Sequence, residues 1–318
     1  MPPASPSSRP QRHLSEVLAS PTLKILFVSG KGGVGKTVIS QAIAEKFAGH
    51  AGKEKKTLWL TFEDPNRPPG EKIRVSGNLD SLNADSIVAF DEYVALKIGV
   101  PALTHIFLNN RLVRYLAKAA PGIHELVLLG KVWHMRKTYD RVIVDMPSTG
   151  HSVAMFQSVA NFARLFQGGP LNRDAEAMLD TFRDPALSAH LIVGLPEEMP
   201  LRESLELGDL LAKLFPKTPP AYFINKRFPS EPEKTGTAAK AETPDQWQTP
   251  VATSALDYIR KRVLLEEFNL KTWRDEGIQI EDLPYFRPPV NVAGSLDGDA
   301  TRAPIVAQAL KALVEKYP

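Results

Sequence analysis

Short stretches that are apolar almost throughout alternate along this chain with longer stretches whose apolar residues recur at helical spacing. Leu23–Ser29, Thr57–Phe62, Arg141–Asp145, His190–Leu195 and Ala221–Asn225 have the length and continuity of buried strands. Ser86–Phe90 reads as a further strand, and Gln279–Leu283 as a last short one. Helices are expected after Lys36, over most of Asp91–Gly130 with breaks at Pro101 and Pro121, over Ala255–Asn269 and over Ala303–Lys316. His13–Ala19 reads as a short lead-in helix. Within 91–130, Ile106, Leu108, Leu112, Val113 and Leu116 mark one apolar face, expected to point into a core. Asn66–Asn83 reads as loop with at most a short strand. Strands without polar alternation, bounded by helices, predict an α/β fold: a doubly wound, mostly parallel sheet covered by helices on both faces.

At 318 residues and 43% apolar content the chain can bury a large core. The expected organisation is a Pro/Ser-rich tail and lead-in over 1–22, then a single domain over 23–318, with a mainly helical insert at about 91–130 and a polar, mobile loop at about 228–250. No internal duplication is visible. The net charge of +3 lacks the basic field of a nucleic-acid binder. There is no cysteine, which excludes disulfides, thiolate metal sites, iron–sulfur clusters and cysteine nucleophiles. Neither a secretion signal nor a run of ~18 apolar residues is present, and the expected location is the cytoplasm.

The chemistry begins at Gly30-Lys31-Gly32-Gly33-Val34-Gly35-Lys36-Thr37, between a strand and a helix. That context makes G-x-x-x-x-G-K-[ST] a phosphate-binding loop. Its glycines turn backbone N–H groups toward phosphate oxygens, and the positive helix end adds to the field. Lys36 would reach the outer phosphates and Thr37 would bind Mg²⁺. Lys31, directly after the first glycine, makes the loop a deviant Walker motif, similar to that of P-loop ATPases that work as face-to-face dimers. In that class the extra lysine reaches the partner's phosphates, as an arginine finger does.

Ligands on parallel sheets sit at the carboxyl ends of strands. Asp64, Asp145 and Asn225 lie at or just beyond such ends. Asp145 has the form of a Walker B carboxylate that supports the metal, and the Thr149-Gly150 turn after it offers a backbone N–H to the γ-phosphate. Asp64 suits the positioning of an attacking water and equally suits a turn. Asn225-Lys226 would bracket a purine; the absence of an acid two residues after the lysine, where Phe228 stands, favours adenine over guanine. The histidines show no metal-ligand spacing, and only His151 lies near the site.

In these motifs the chain resembles the anion-transporting ATPase family, the arsenite-pump and tail-anchored-protein-targeting ATPases, from about Leu23 to Leu283. Asp64-Pro65 matches the opening of the family's first switch. Asp145-Met146-Pro147-Ser148-Thr149-Gly150-His151 matches its second switch, usually D-x-A-P-T-G-H. Pro196-Glu197-Glu198-Met199-Pro200-Leu201-Arg202-Glu203 matches its P-E-x-M-x-x-x-E stretch. The resemblance implies ATP and Mg²⁺ as cofactors and catalytic roles for Lys31, Lys36, Asp64 and Asp145. It implies nucleotide contacts from Gly30, Gly32, Gly33, Val34, Gly35, Lys36, Thr37, Val38, Gly150 and Asn225, with Thr37 and Asp145 serving the metal.

The departures are informative. The first switch continues Asn66-Arg67 where the family has Ala-His, the second carries Pro147 and Ser148 for Ala and Pro, and Val38 replaces a second threonine. Cysteine-dependent arsenite activation and the zinc-clasped dimer are excluded. Ser152–Arg183, which corresponds to the family's Met-rich insert, holds only Met155 and Met178, which disfavours tail-anchor targeting. The expected function is a dimeric, Mg-ATP-hydrolysing ATPase whose open/closed cycle acts on an unidentified protein or membrane partner. The alternative is a regulatory nucleotide-binding subunit of a heterodimer with a related ATPase. A third reading, a positioning ATPase on membranes or nucleoids, is opposed by Ala303–Tyr317, where two lysines and one glutamate among small apolar residues make no basic amphipathic face.

Overall fold

A computed structural model describes residues 10–50, 55–110, 122–165, 168–228, 250–284 and 298–317. Its frame is an eight-stranded sheet in the order β3-β4-β2-β5-β1-β6-β7-β8. The strands are β1 (Ile25–Ser29), β2 (Thr57–Phe62), β3 (Lys72–Ser76), β4 (Leu79–Ala84), β5 (Arg141–Asp145), β6 (Ser188–Gly194), β7 (Ala221–Arg227) and β8 (Glu281–Pro284). All neighbours pair in parallel except β3 with β4. The helices are α1 (Leu14–Ala19), α2 (Lys36–His50), α3 (Ser86–Ile98), α4 (Pro101–Asn109), α5 (Ile123–Met135), α6 (Thr149–Leu165), α7 (Pro170–Arg183), α8 (Glu198–Leu214), α9 (Pro250–Asp275) and α10 (Gly298–Lys316).

The continuous apolar strands are buried on both faces. In β1, Ile25 and Phe27 join a core with Leu129 of α5, Phe156 of α6, Phe182 of α7 and Leu211 of α8. Leu26 and Val28, on the other face, join Val17 of α1, Ile39 of α2 and Leu313 of α10. Period-two alternation therefore serves two cores at once. The doubly wound α/β architecture expected from the pattern is the one observed.

Three local expectations fail. Ser86–Phe90 is the start of α3, because the Asp85 carboxylate accepts hydrogen bonds from the Ile87 and Val88 amides at 3.0 and 2.9 Å and caps a helix. Asn66–Asn83 holds the β3–β4 hairpin, whose second strand, Leu79–Ala84, is entirely buried. Its polar residues are satisfied from outside the strand: Asp80 accepts from the Tyr139 hydroxyl at 2.7 Å, and Ser81 from Arg67 at 2.8 Å. Ile106 does not point inward but is 67% exposed on α4. Leu112, Val113, Leu116 and the break at Pro121 lie outside the described residues, as do 1–9 of the tail and 229–249 of the polar loop.

His190 lies fully buried in β6, its ring stacked between Phe27 at 5.2 Å and Phe215 at 4.6 Å. Burial pushes its pKa down to about 3. The unfolded chain takes up a proton below about pH 6.5 that the native ring refuses, so stability falls as pH drops from there. The slope is about 1.4 kcal/mol per pH unit. His190→Leu, close in volume, is expected to flatten that slope between pH 6.5 and 4.5 in denaturant unfolding. An unchanged slope would assign the acid sensitivity elsewhere.

Candidate active site

The phosphate loop connects β1 to α2 at the centre of the sheet's carboxyl edge. Two of its glycines, Gly30 and Gly35, are required by close approach. A Cβ on Gly30 would stand 2.3 Å from the Val193 carbonyl oxygen of β6. Gly35, at φ +92°, would carry its Cβ 2.4 Å from Nδ2 of Asn225. Any side chain at either position would push the loop off its neighbouring strands.

Three side chains hold the loop's own carbonyls. Lys36 Nζ donates to the Lys31 carbonyl at 2.9 Å, Asn225 Nδ2 to that of Val34 at 2.8 Å, and Lys226 Nζ to that of Gly33 at 2.9 Å. Lys226 reaches this position from a left-handed backbone, φ 58°, a conformation that costs a non-glycine residue about 1 kcal/mol. With the carbonyls engaged from outside, the loop's N–H groups are the ones left for an anion. Burial lowers the pKa of Lys36, opposed by the charge of Asp145.

Thr37 Oγ1 donates to Asp145 Oδ2 at 2.7 Å, joining the first turn of α2 to the end of β5. The other oxygen, Oδ1, is buried without a hydrogen-bond partner. Burial lifts the Asp145 carboxyl to about 6, against the Thr37 hydrogen bond and the Lys36 charge. An unpartnered carboxylate oxygen beside a threonine hydroxyl is the donor set that a hard cation prefers, so the residues fit Mg²⁺. Gly150 and His151 are exposed in the first turn of α6, where Ser148 accepts the His151 amide at 3.0 Å.

Asp64 follows β2, after Glu63 in a left-handed turn at φ 47°. Its Oδ1 accepts from the backbone and side-chain nitrogens of Asn66, at 3.0 and 3.2 Å. Asn83, at the end of β4, fastens this turn: it accepts from the Asp64 amide at 2.9 Å and donates to the carbonyls of Asp64, Arg67 and Pro68 at 3.1–3.2 Å. The pattern along the chain gave Asn83 no role, because the strand carrying it read as loop.

Lys31 extends away from the loop and bonds Glu203 of α8 at 2.6 Å within the same chain. Glu203 ends the P-E-x-M-x-x-x-E stretch, and its second oxygen is buried without a partner. Among the described residues no cluster of His, Cys, Asp or Glu could hold a metal ion by itself, and no helix is long and apolar enough to cross a membrane.

A central phosphate loop on a mostly parallel sheet, with a strand-end aspartate bonded to the loop's threonine, defines a P-loop nucleotide-hydrolase fold. Residues 23–168 match the family model described as anion-transporting ATPase. ATPase BagA of Mycobacterium tuberculosis is 26% identical over 242 residues, covering 69% of this chain and 70% of that protein. ATPase ASNA1 homolog 2 of Paramecium tetraurelia is 31% identical over 174 residues, 49% of each chain. ATPase GET3 of Phaeosphaeria nodorum is 28% identical over 185 residues, 53% of this chain and 56% of the other, so the chain spans about half the length of these last two. The chain is an ATPase that resembles the anion-transporting ATPases.

Proposed function

We propose that the chain binds and hydrolyses Mg-ATP as a dimer, on one ATPase domain spanning 23–318, and that the resulting open/closed cycle acts on a protein or membrane partner in the cytoplasm. The observation that carries this reading is the pairing of Thr37 with Asp145, whose remaining oxygen is buried and unpartnered beside the phosphate loop.

Thr37 and Asp145 would hold the metal, which would supply charge neutralisation to the phosphates. Lys36 exchanges the Lys31 carbonyl for phosphate oxygens, and the loop N–H groups, with that of Gly150, orient them. Asn225 commits one amide hydrogen to Val34; its oxygen, an acceptor, suits the amino group of adenine. Asp64 positions the attacking water, and Lys31 leaves Glu203 to reach the second subunit's phosphates.

One observation favours the heterodimer reading. The Asp64 carboxylate is engaged by Asn66, a residue absent from the family's usual switch. Asn66 fixes the carboxylate through Oδ1 and leaves water positioning to Oδ2 alone, which slows hydrolysis by the chain on its own. Steady-state ATP turnover measured across protein concentration separates the two. Specific activity that rises with concentration is expected of the homodimer. Background turnover at every concentration, with Mg-ATP still bound, would transfer the reading to a subunit that needs a related partner.

A further inference from the structure

A cavity of about 390 Å³ lies between α3, α5 and α7, and none of its lining residues belongs to the phosphate loop or the switch turns. Small-molecule sites begin at roughly 300 Å³. Taking ~30 Å³ per methylene-sized group, the liquid share of a water, the space holds on the order of a dozen such groups. A single helical turn with side chains, about 10 Å across and 5.4 Å high, already fills more than that. The cavity therefore does not suit a polypeptide helix.

Its walls carry both apolar and charged side chains. Leu96, Leu126, Leu171 and Met178 supply the apolar lining, Leu96 and Leu171 at its exposed rim, with a methionine that adapts to irregular shapes. Around His134 the charges are Lys131, Arg136 and Lys137, with Glu92 as the opposing acid. Lys131 is paired with Glu92, and Lys97 with Asp174 at 2.6 Å. Lys137 forms no ion pair among the described residues; its Nζ lies 5.6 Å from the Trp133 ring centre, and the Arg136 guanidinium lies 4.5 Å from the same ring. Over the lining as a whole, Lys97, Lys131 and Lys137 carry more positive charge than Glu92 and Asp174 neutralise.

Gly130 provides a second, independent observation. It sits inside α5, where glycine costs about 0.5–1 kcal/mol relative to alanine. A Cβ there would meet only the Met178 sulfur at 3.7 Å, an ordinary contact. Packing does not require the glycine, and its missing side chain deepens the cavity.

We infer that this cavity is a binding site for a single-chain acyl carboxylate, its chain along Leu96, Leu126, Leu171 and Met178 and its carboxylate at the Lys131–Lys137 end. A two-chain phospholipid exceeds the volume.

Isothermal titration of the intact chain with dodecanoate, below its micelle threshold, is expected to give a saturable one-to-one isotherm. Dodecyltrimethylammonium, with the same chain and opposite charge, binds at least about tenfold more weakly. Gly130→Leu fills the cavity and favours the helix; Lys137→Glu reverses the unpaired charge at the surface. Each is expected to weaken dodecanoate by about tenfold or more while ATP turnover stays unchanged. Full affinity in the Lys137→Glu variant, or in a folded Gly130→Leu variant, overturns the inference. So does equal binding of the cationic amphiphile, or binding to anionic phospholipid vesicles without a dodecanoate isotherm.

Discussion

Lys31→Ala is expected to lower ATP turnover about a thousandfold while Mg-ATP affinity of the isolated chain changes by less than about threefold. The magnitudes decide the direction. In the single chain Lys31 rests on Glu203 at 2.6 Å, with side chains 46% and 30% exposed. A pair so open to solvent contributes at most about 1 kcal/mol. A positive charge supplied in trans to a transferring phosphoryl group is worth about 10³–10⁵ in rate, or roughly 4–7 kcal/mol. In the proposed dimer, binding across the interface would therefore displace the Glu203 contact. Glu203→Gln, which frees the lysine, is expected to raise turnover severalfold at protein concentrations where dimers are scarce. Single-turnover kinetics and nucleotide titration on the same preparations provide the check. A Lys31→Ala protein that hydrolyses ATP at the wild-type rate would reduce Lys31 to a solvated loop residue.

Asp145→Asn is expected to abolish metal-dependent turnover, by about a hundredfold or more, and to stabilise the nucleotide-free protein. Burial is the main cause that raises this carboxyl from 3.8 to about 6. The sign follows from that direction. The native state favours the protonated form, so the wild type loses stability as pH rises from about 4 to 6 and carries a destabilising charge above. A shift of this size, already net of the attraction to Lys36, corresponds to on the order of 3 kcal/mol. Asparagine retains an oxygen for the Thr37 hydroxyl and bears no charge. Melting at pH 7.5 should rise by several degrees, at about 2–4 °C per kcal/mol, and the gain should vanish by pH 4. Added Mg-ATP should stabilise the wild type and not the variant. A variant that melts below wild type at pH 7.5 would contradict the account of a charge held under strain for a cation.

The central strands were legible because each is buried on both faces, which leaves an uninterrupted apolar run. The phosphate loop was legible because it imposes its glycines sterically, at Gly30 against β6 and at Gly35 against Asn225. β4 was not legible. Leu79–Ala84 carries Asp80, Ser81 and Asn83 into the interior, and each is satisfied by a partner distant in sequence or by the switch loop. Hydrophobic pattern cannot reveal a strand whose buried side chains are polar and paired. The start of α3 was misread because Ser86–Phe90 is apolar and partly β-branched, although the capping Asp85 stood beside it. The ties of Lys31 to Glu203 and of Lys226 to Gly33 span 172 and 193 positions, beyond what local spacing reveals.

Asn83 sets the character of the turn that follows β2. One side chain makes four bonds to residues 64–68, and its backbone amide adds a fifth to the Glu71 carbonyl at 2.9 Å. With Arg67 also bonded to buried Ser81, a loop fastened to two neighbouring posts on one strand does not drift through graded positions. It is released or held as a unit, so its motion has an activation barrier set by the bonds that tie it to β4.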